Sequence, residues 1–535
     1  MEFEAKGSER ENALPKSSNL GRSKAASTRS LAAATTVIEE VELNLNGYVI
    51  PKNTTINFMA ADIGLDPQVW ENPLDFNPDR FLSVLRGDDT EAFDITGVRE
   101  IKMMPFGAGR RPFISLSSFS PAAVFSDRPK AAQTSVTIHS SRINIASSPY
   151  GPSWRLLRRN LVSEILHPSR AKCYSKARSQ ALSILIQQLR FDSADAEVIT
   201  LIDHFRCAMF YILVMMCFGD KIDEPQVKQI RDVQRRWMKN AGRFINLSFF
   251  PRSLQKIIFR NQWKELIELT HEQEKIFVPL IESRMKAKTE EDVVAYADTL
   301  LDLEFPEEKR KFNQGEIVSL CSEFLNGGTD TTSTSLQWIM ANLVNYPSIQ
   351  EKLYKEISEV VNRGNPKPKE VKEEDLEKMS YLKAVILEGL RRHPPGHFLQ
   401  PHMVTEEVEL NGYAIPKNTP INFMVADMNL DPQVWDNPLD FKPERFLSAN
   451  GVTEAFDITG VREIKMMPFG AGRRVCPAYG LAMLHLEYFV ANLIWHFEWK
   501  AVDGSNVDLS EKQEFTVTMK KPLCVRVHPR ANQLA

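Results

Sequence analysis

One cysteine near the C-terminal end sits where it could do chemistry. The stretch Phe469-Gly-Ala-Gly-Arg-Arg-Val-Cys-Pro-Ala-Tyr-Gly480 places Cys476 after a turn eased by Gly470 and Gly472 and before an apolar, helix-forming run from Leu481 to Phe497. A sulfur at a helix N-terminus meets unpaired N–H groups and the positive end of the macrodipole, both of which favour the thiolate. Arg473 and Arg474 add positive charge. No second Cys or His stands at metal-site spacing, so the thiolate suits a cofactor that takes one axial protein ligand, such as haem. A lone cysteine is more often a structural core residue, and the rest of the chain has to tip the balance.

Other groups have usable spacing. Trp154 and Arg158 lie at i, i+4 on a short helical run with Arg155 and Arg159 turned away from them, which reads either as a solvated basic helix or as a carboxylate clamp. Asn313-Gln-Gly-Glu316 reads as a capping box opening a long helix that stops near Pro347. In its middle, Gly327-Gly-Thr-Asp-Thr-Thr332 is a poor helix sequence that invites local opening or a bend. There Asp330 beside Thr331, an acid next to an alcohol, could relay a proton. An exposed Thr-rich turn is the bland alternative, disfavoured because apolar periodicity continues on both sides. Glu388 and Arg391, at i, i+3, form a pair that chance often supplies.

Together these segments resemble the cytochrome P450 haem-thiolate monooxygenases, with Phe469, Gly472, Arg474 and Cys476 in the places of the Phe-x-x-Gly-x-Arg-x-Cys signature. Val124-Phe-Ser-Asp-Arg-Pro129 and Tyr150-Gly-Pro-Ser-Trp154 resemble the plant members in particular. The resemblance implies that Cys476 is the axial ligand of a haem b iron, and that Trp154 and Arg158 face one propionate while His402 and Arg474 face the second. It implies that Asp330 and Thr331 deliver protons for O–O cleavage, and that Glu388, Arg391 and Arg445 form an ion triad that locks the cysteine loop. Phe398, Leu399 and the C-terminal strands would border the substrate. One departure is Ala478, where the family usually has Gly; if the backbone there needs a positive φ, the cost is about 1 kcal/mol.

The elements that must position these residues are mostly helical. Residues 160 to 310 read as successive amphipathic helices, among them Ala177 to Leu189 and Gln262 to Lys286, and Cys207 to Phe218 as a core helix too short to span a bilayer. Asn411-Gly412 suggests a hairpin after the alternating run from Val408. Phe515 to Met519 and Cys524 to Val527, separated by Lys520 to Leu523, read as a last hairpin. The expected fold class is mostly α (α+β), a haem-thiolate fold with a small β-sheet region.

Composition agrees with an enzyme core. With 43% hydrophobic and 25% charged residues and a formal charge of −3, the chain does not suggest a nucleic-acid partner. Six scattered cysteines without Cys-x-x-Cys pairs argue for a reducing compartment. Self-comparison reveals a duplication: Gly47 to Phe81 matches Gly412 to Phe446 at 27 of 35 positions, and Thr90 to Arg111 matches Thr453 to Arg474 at all 22. The first copy breaks off at the decisive point, with Pro112 and Phe113 where Val475 and Cys476 stand. The expected organisation is a disordered leader over 1–36, a partial duplicate over 37–115 of residues 404–478 lacking the Cys ligand, and a catalytic domain over 122–535. The family's usual anchor, hinge and first strands are expected to be missing from that domain.

The resemblance implies insertion of one oxygen atom from O2 into a small apolar organic substrate, with electrons from NADPH through NADPH–cytochrome P450 reductase. It also implies residence on the cytosolic face of the endoplasmic reticulum membrane, or in the cytosol if the anchor is truly missing. Two rival readings stand beside it. One is a haem-thiolate isomerase or dehydratase needing no reductase, against which the Asp330–Thr331 pair argues; the other is a fused or truncated product without catalytic activity.

Overall fold

In a computed structural model of the chain, the described residues are 123–129, 144–195, 198–245, 259–287, 293–363, 369–410, 413–448, 456–460, 464–504 and 506–530, with four short strands between 35 and 56. The chain divides into two compact units, Met1–Ile114 and Ser115–Ala535.

In the first unit the described elements are β1 (Thr35–Thr36), β2 (Val41–Leu43), β3 (Tyr48–Ile50) and β4 (Thr55–Ile56), paired as β1–β4 and β2–β3. Residues 1–34 of the expected leader lie outside the described residues. Thr35 and Thr36, expected at the leader's end, form β1 instead, because their partners Thr55 and Ile56 belong to the duplicated segment.

The second unit is built on long helices: α1 (Pro152–Asn160), α2 (Ser175–Asp195), α3 (Ile202–Phe218), α4 (Glu224–Ile245), α5 (Arg260–Ala287), α6 (Gln314–Asn345), α7 (Pro347–Asn362), α8 (Ser380–Arg392) and α9 (Tyr479–His496). Among them run β5 (Ile199–Thr200), β6 (His402–Met403), β7 (Val408–Leu410), β8 (Tyr413–Ile415), β9 (Pro420–Ile421), β10 (Phe497–Ala501), β11 (Glu511–Gln513), β12 (Val517–Met519) and β13 (Cys524–Pro529). Helix and strand thus occur as the mostly α expectation requires. The core gathers one continuous apolar cluster in which α3, buried almost all round, lies against α6. Among the described residues no helix is long and apolar enough to cross a membrane.

Helix α6 opens as its capping box demands: Asn313 Oδ1 accepts from the Glu316 N–H at 3.0 Å and Glu316 Oε2 accepts from the Asn313 N–H at 2.9 Å. The expected opening at Gly327–Thr332 does not occur, and the helix runs unbroken from Gln314 to Asn345. Its hydroxyls satisfy themselves on the helix: Thr329 donates to Leu325 O at 2.7 Å and Thr331 to Gly327 O at 2.8 Å. Gly328 serves packing, since a Cβ there would sit 2.8 Å from Leu213 Cδ1 of α3.

The C-terminal expectation also needs correction. β12 pairs with β11, not with β13, and β13 is the centre of a sheet of order β10–β13–β5. The reason is burial: Val525 and Val527 alternate inward beside Phe497 and Trp499 of β10, whereas Val517, Thr518 and Met519 are all buried next to the Glu511–Gln513 strand.

Candidate active site

Cys476 is held by a tight loop. Its N–H donates to Phe469 O at 2.8 Å, and Gly470 and Gly472, at φ of +74° and +65°, turn the chain through conformations that a side chain would resist. A 3-10 turn, Gly472–Arg474, leads to Val475 and then to the start of α9. Ala478, which departs from the family's glycine, adopts φ −101° and so carries no left-handed strain.

The helix end does not by itself make Cys476 a thiolate. Burial pushes its thiol up from the ordinary value, and the Ala478 N–H and the Arg158 charge act against that rise without cancelling it. Desolvation outweighs the partial charges at the helix terminus, whereas a coordinated metal ion deprotonates a thiol outright.

Around this loop the structure brings together most of the residues singled out by sequence. Arg158 Nη2 donates to Val475 O at 2.6 Å, and burial lowers its pKa while the nearby Cys476 raises it. Trp154 is buried and donates from Nε1 to Ile145 O at 2.9 Å, with the Arg474 guanidinium 4.3 Å from its ring centre. Arg474 donates to the carbonyls of Ser126, Ile145 and Ser148 at 2.6, 3.3 and 2.8 Å. Burial, then the neighbouring Arg128, brings its pKa down to about 9. His402 donates from Nδ1 to Phe125 O at 2.6 Å, and burial followed by Arg128 holds its pKa down to about 4, so it is neutral. His402, Gly472 and Arg474 line one small cavity together with Leu399.

Asp330 and Thr331 stand apart. Asp330 Oδ1 accepts from Arg206 Nε of α3 at 2.9 Å, and among the described residues no hydrogen bond or ion pair joins either residue to the Cys476 group. The ion triad forms as expected: Arg391 grips Glu388 at 2.7 and 2.8 Å and Arg445 Nε reaches the same carboxylate at 3.1 Å, with Glu388 and Arg391 fully buried. Arg391 also lies 5.3 Å from the ring centre of Trp435, which packs in one cluster with Phe446 and Met466.

Sequence reading missed three contributors. Arg128, inside a segment noted only for its resemblance, donates to the carbonyls of Ala146, Gln400 and Pro401 at 2.8 to 2.9 Å. Asp127 Oδ1 accepts from the N–H groups of Arg128 and Tyr150, both at 2.8 Å. From α6, Glu323 Oε2 accepts from Ile145 N–H at 2.8 Å and Oε1 from Ala146 N–H at 2.7 Å, although burial pushes its carboxyl up. A carboxylate between Cys321 and Leu325 of a buried helix is the signal that could have drawn notice.

This donor set fits an anionic group better than a bare metal ion. Among the described residues no cluster of three Cys, His, Asp or Glu could hold a metal alone. In this shell burial and the Arg128 charge lower the pKa of Arg474, a cost that carboxylates of a bound group would relieve.

A sequence model of cytochrome P450 matches residues 35–112 and 120–526. The chain belongs to the cytochrome P450 family. It is 51% identical over 416 residues to cytochrome P450 89A9 of Arabidopsis thaliana, covering 76% of this chain and 81% of that one. It is 30% identical over 418 residues to a phenylacetaldehyde oxime monooxygenase of Prunus mume, covering 75% and 76%. A solved zebra fish cytochrome P450 with abiraterone superimposes with a TM-score of 0.60 at 23% identity, covering 76% of this chain and 89% of that one, and shows the shared fold. The chain is accordingly a P450 enzyme of the monooxygenase class, with haem as cofactor and an organic substrate, O2 and a redox partner as its reactants.

Proposed function

We propose that this P450 inserts one atom of O2 into a small apolar organic substrate, using haem b and NADPH-derived electrons delivered by NADPH–cytochrome P450 reductase at the cytosolic face of the endoplasmic reticulum. The observation that carries the reading is the convergence of Trp154, Arg158, His402 and Arg474 on the loop of Cys476. Haem, when bound through Cys476, supplies the oxygen-activating chemistry. Arg158 and Arg474 would hold its carboxylates through charge-assisted bonds, and Trp154 would fix both guanidinium groups by stacking. Neutral His402, whose ring N–H is committed to Phe125 O, would line the site without adding charge.

Asp330 and Thr331 would handle protons. Arg206 keeps the Asp330 carboxylate in place, and the Thr331 hydroxyl would leave Gly327 O to pass a proton inward. The test is the carbon-monoxide difference spectrum of the reduced protein. Cys476→Ser should lose the thiolate-type spectrum, because a neutral hydroxyl is a far weaker donor to iron. An unchanged spectrum in that variant would sink the assignment.

A further inference from the structure

Where α4 and α5 meet α6, a polar cluster interrupts the apolar core. Gln234, Gln273 and Ser322 are all buried there. Gln273 Nε2 donates to Gln234 Oε1 at 2.6 Å and to Ser322 Oγ at 2.7 Å, and Gln234 Nε2 donates to the same Oγ at 3.2 Å. Ser322 Oγ sends its own proton to Gln234 Oε1 at 3.3 Å. What the hydroxyl offers its remaining neighbour is therefore lone-pair density, which accepts an N–H and repels a C=O. That neighbour is Asn326, one helical turn on, whose Nδ2 donates to Ser322 Oγ at 3.4 Å. The cluster so orients the Asn326 amide, nitrogen towards Ser322 and carbonyl oxygen away from it.

Among the described residues no hydrogen bond reaches Asn326 Oδ1, and the atom is not sealed from solvent. Asn326 begins an uncovered stretch in the middle of α6: residues 326–331 are half-buried or exposed, whereas 332–344 are all buried. A Cβ on Gly327 would meet no atom within 4 Å. The same stretch carries Asp330 and Thr331, and Thr331 follows Asn326 by five residues, about 7.5 Å of helix. One turn before Gly327, the Glu323 carboxylate holds the N–H groups of Ile145 and Ala146, and Ile145 O receives both Trp154 and Arg474. The uncovered stretch thus begins beside the segment that fixes two members of the Cys476 group.

We infer that Asn326 Oδ1 is the acceptor that selects this enzyme's substrate: an apolar molecule carrying one N–H or O–H donor, held by that donor beside Asp330 and Thr331. The inference rests on the role proposed above for those two residues. An apolar pocket takes its selectivity from a few placed polar groups, and one built to receive a donor rejects the same skeleton without it.

The test takes three tricyclic probes of one shape: carbazole with an N–H donor, fluorene with a CH2 group and dibenzofuran with an oxygen acceptor at the same place. Equilibrium dialysis against the full chain gives their affinities. Asn326→Leu keeps the volume and gives up one hydrogen bond, so it should lower the carbazole-to-fluorene affinity ratio by about two- to tenfold. The dibenzofuran-to-fluorene ratio should not fall. Asn326→Ala should match Asn326→Leu, which separates the lost acceptor from the shape of its replacement. Differences in transfer from water cancel between parent and variant. A parent that binds none of the probes, a carbazole-to-fluorene ratio unchanged in Asn326→Leu, or an equal fall for dibenzofuran would overturn the inference. The carbon-monoxide difference spectrum of the same preparations reports separately on the cofactor. A thiolate-type spectrum with an unchanged ratio refutes the role of Asn326 alone, whereas a falling ratio without that spectrum supports Asn326 and refutes the haem assignment.

Discussion

Removing the carboxylate of Glu323 should loosen the whole cation cluster from a distance. Its two oxygens receive the N–H groups of Ile145 and Ala146 at 2.8 and 2.7 Å. The carbonyls of that same strap receive Trp154 and Arg474 at Ile145, Arg128 at Ala146, and Arg474 again at Ser148. In Glu323→Ala two enclosed amides lose their acceptor, and a buried donor left unsatisfied costs about 1–3 kcal/mol, so the variant should be about 2–6 kcal/mol less stable. Glu323→Gln keeps one acceptor oxygen and should fall between the two. Among the described residues Glu323 has no hydrogen bond or ion pair to the Cys476 loop, so its effect on cofactor retention must pass through the strap. Denaturant unfolding gives the stability change, and transfer of haem to an excess of an acceptor protein gives the loss rate, which should rise in the order parent, Glu323→Gln, Glu323→Ala. Parent-like haem loss in a destabilised Glu323→Ala protein would show that the strap does not position Arg474 and Trp154, and the reasoning would fail.

Thr331→Ala should leave haem binding intact but divert oxygen consumption away from product, since among the described residues its hydroxyl bonds within α6; equal coupling ratios in variant and parent would count against a proton role. A pH-dependent clamp is expected where Glu511 receives His393 at 3.3 Å and His397 at 2.7 Å. Burial pushes the Glu511 carboxyl up, but the two histidine bonds outweigh it and bring it down to about 2, while the Glu511 bond raises His397. A lowered carboxyl stabilises above its unfolded pKa and loses that contribution as pH falls towards 2, and a raised His stabilises below its unfolded pKa and loses it as pH rises through the raised value. The difference in melting temperature between parent and His397→Gln should therefore be largest between the ordinary Glu and His values and shrink at alkaline pH; a difference constant from pH 5 to 9 would contradict the clamp. Deleting residues 1 to 115 should leave haem content per folded molecule unchanged, and a large loss of bound haem would show that the first copy contributes to the cofactor site.

What could be read from the sequence divides along the range of the interactions. The capping box of α6 and the core helix around Cys207 to Phe218 were legible because side-chain periodicity and a local hydrogen bond determine them. The ion triad was legible only through resemblance, since Glu388 and Arg445 are far apart in the chain and meet only once the fold brings them together. The unbroken course of α6 was misread: intrinsic propensity disfavours Gly327–Thr332, but packing of Gly328 on Leu213 and the hydroxyl bonds to the helix's own carbonyls overrule it. The partner of β12 was misread because sequence adjacency favoured β13, whereas the alternating burial of Val525 and Val527 commits that strand to β10. The strap of residues 144–148 left no trace in the sequence, because its role rests on main-chain carbonyls, which every residue type supplies.

The duplication separates local structure from chemistry within one chain. Val41 faces Ile50 and Leu43 faces Tyr48 in the first copy, and Val408 faces Ile415 and Leu410 faces Tyr413 in the second, so the same residues find the same register in two separate units. This holds although the first copy carries two extra residues, Asn44 and Leu45, between its strands. The outer pair repeats as well: Thr35 and Thr36 meet Ile56 and Thr55 as His402 and Met403 meet Ile421 and Pro420. A few β-branched and aromatic residues with a turn between them suffice for such pairing. The site demands more. Where the second copy has His402 the first has Thr35, and where the second has Cys476 the first has Phe113, so the repeated frame arrives without the ring donor and without the thiol. Strand register is thus a property that this segment carries with it, while the proposed cofactor site needs the particular residues at two positions and the Trp154, Arg158 and Glu323 partners of the second unit.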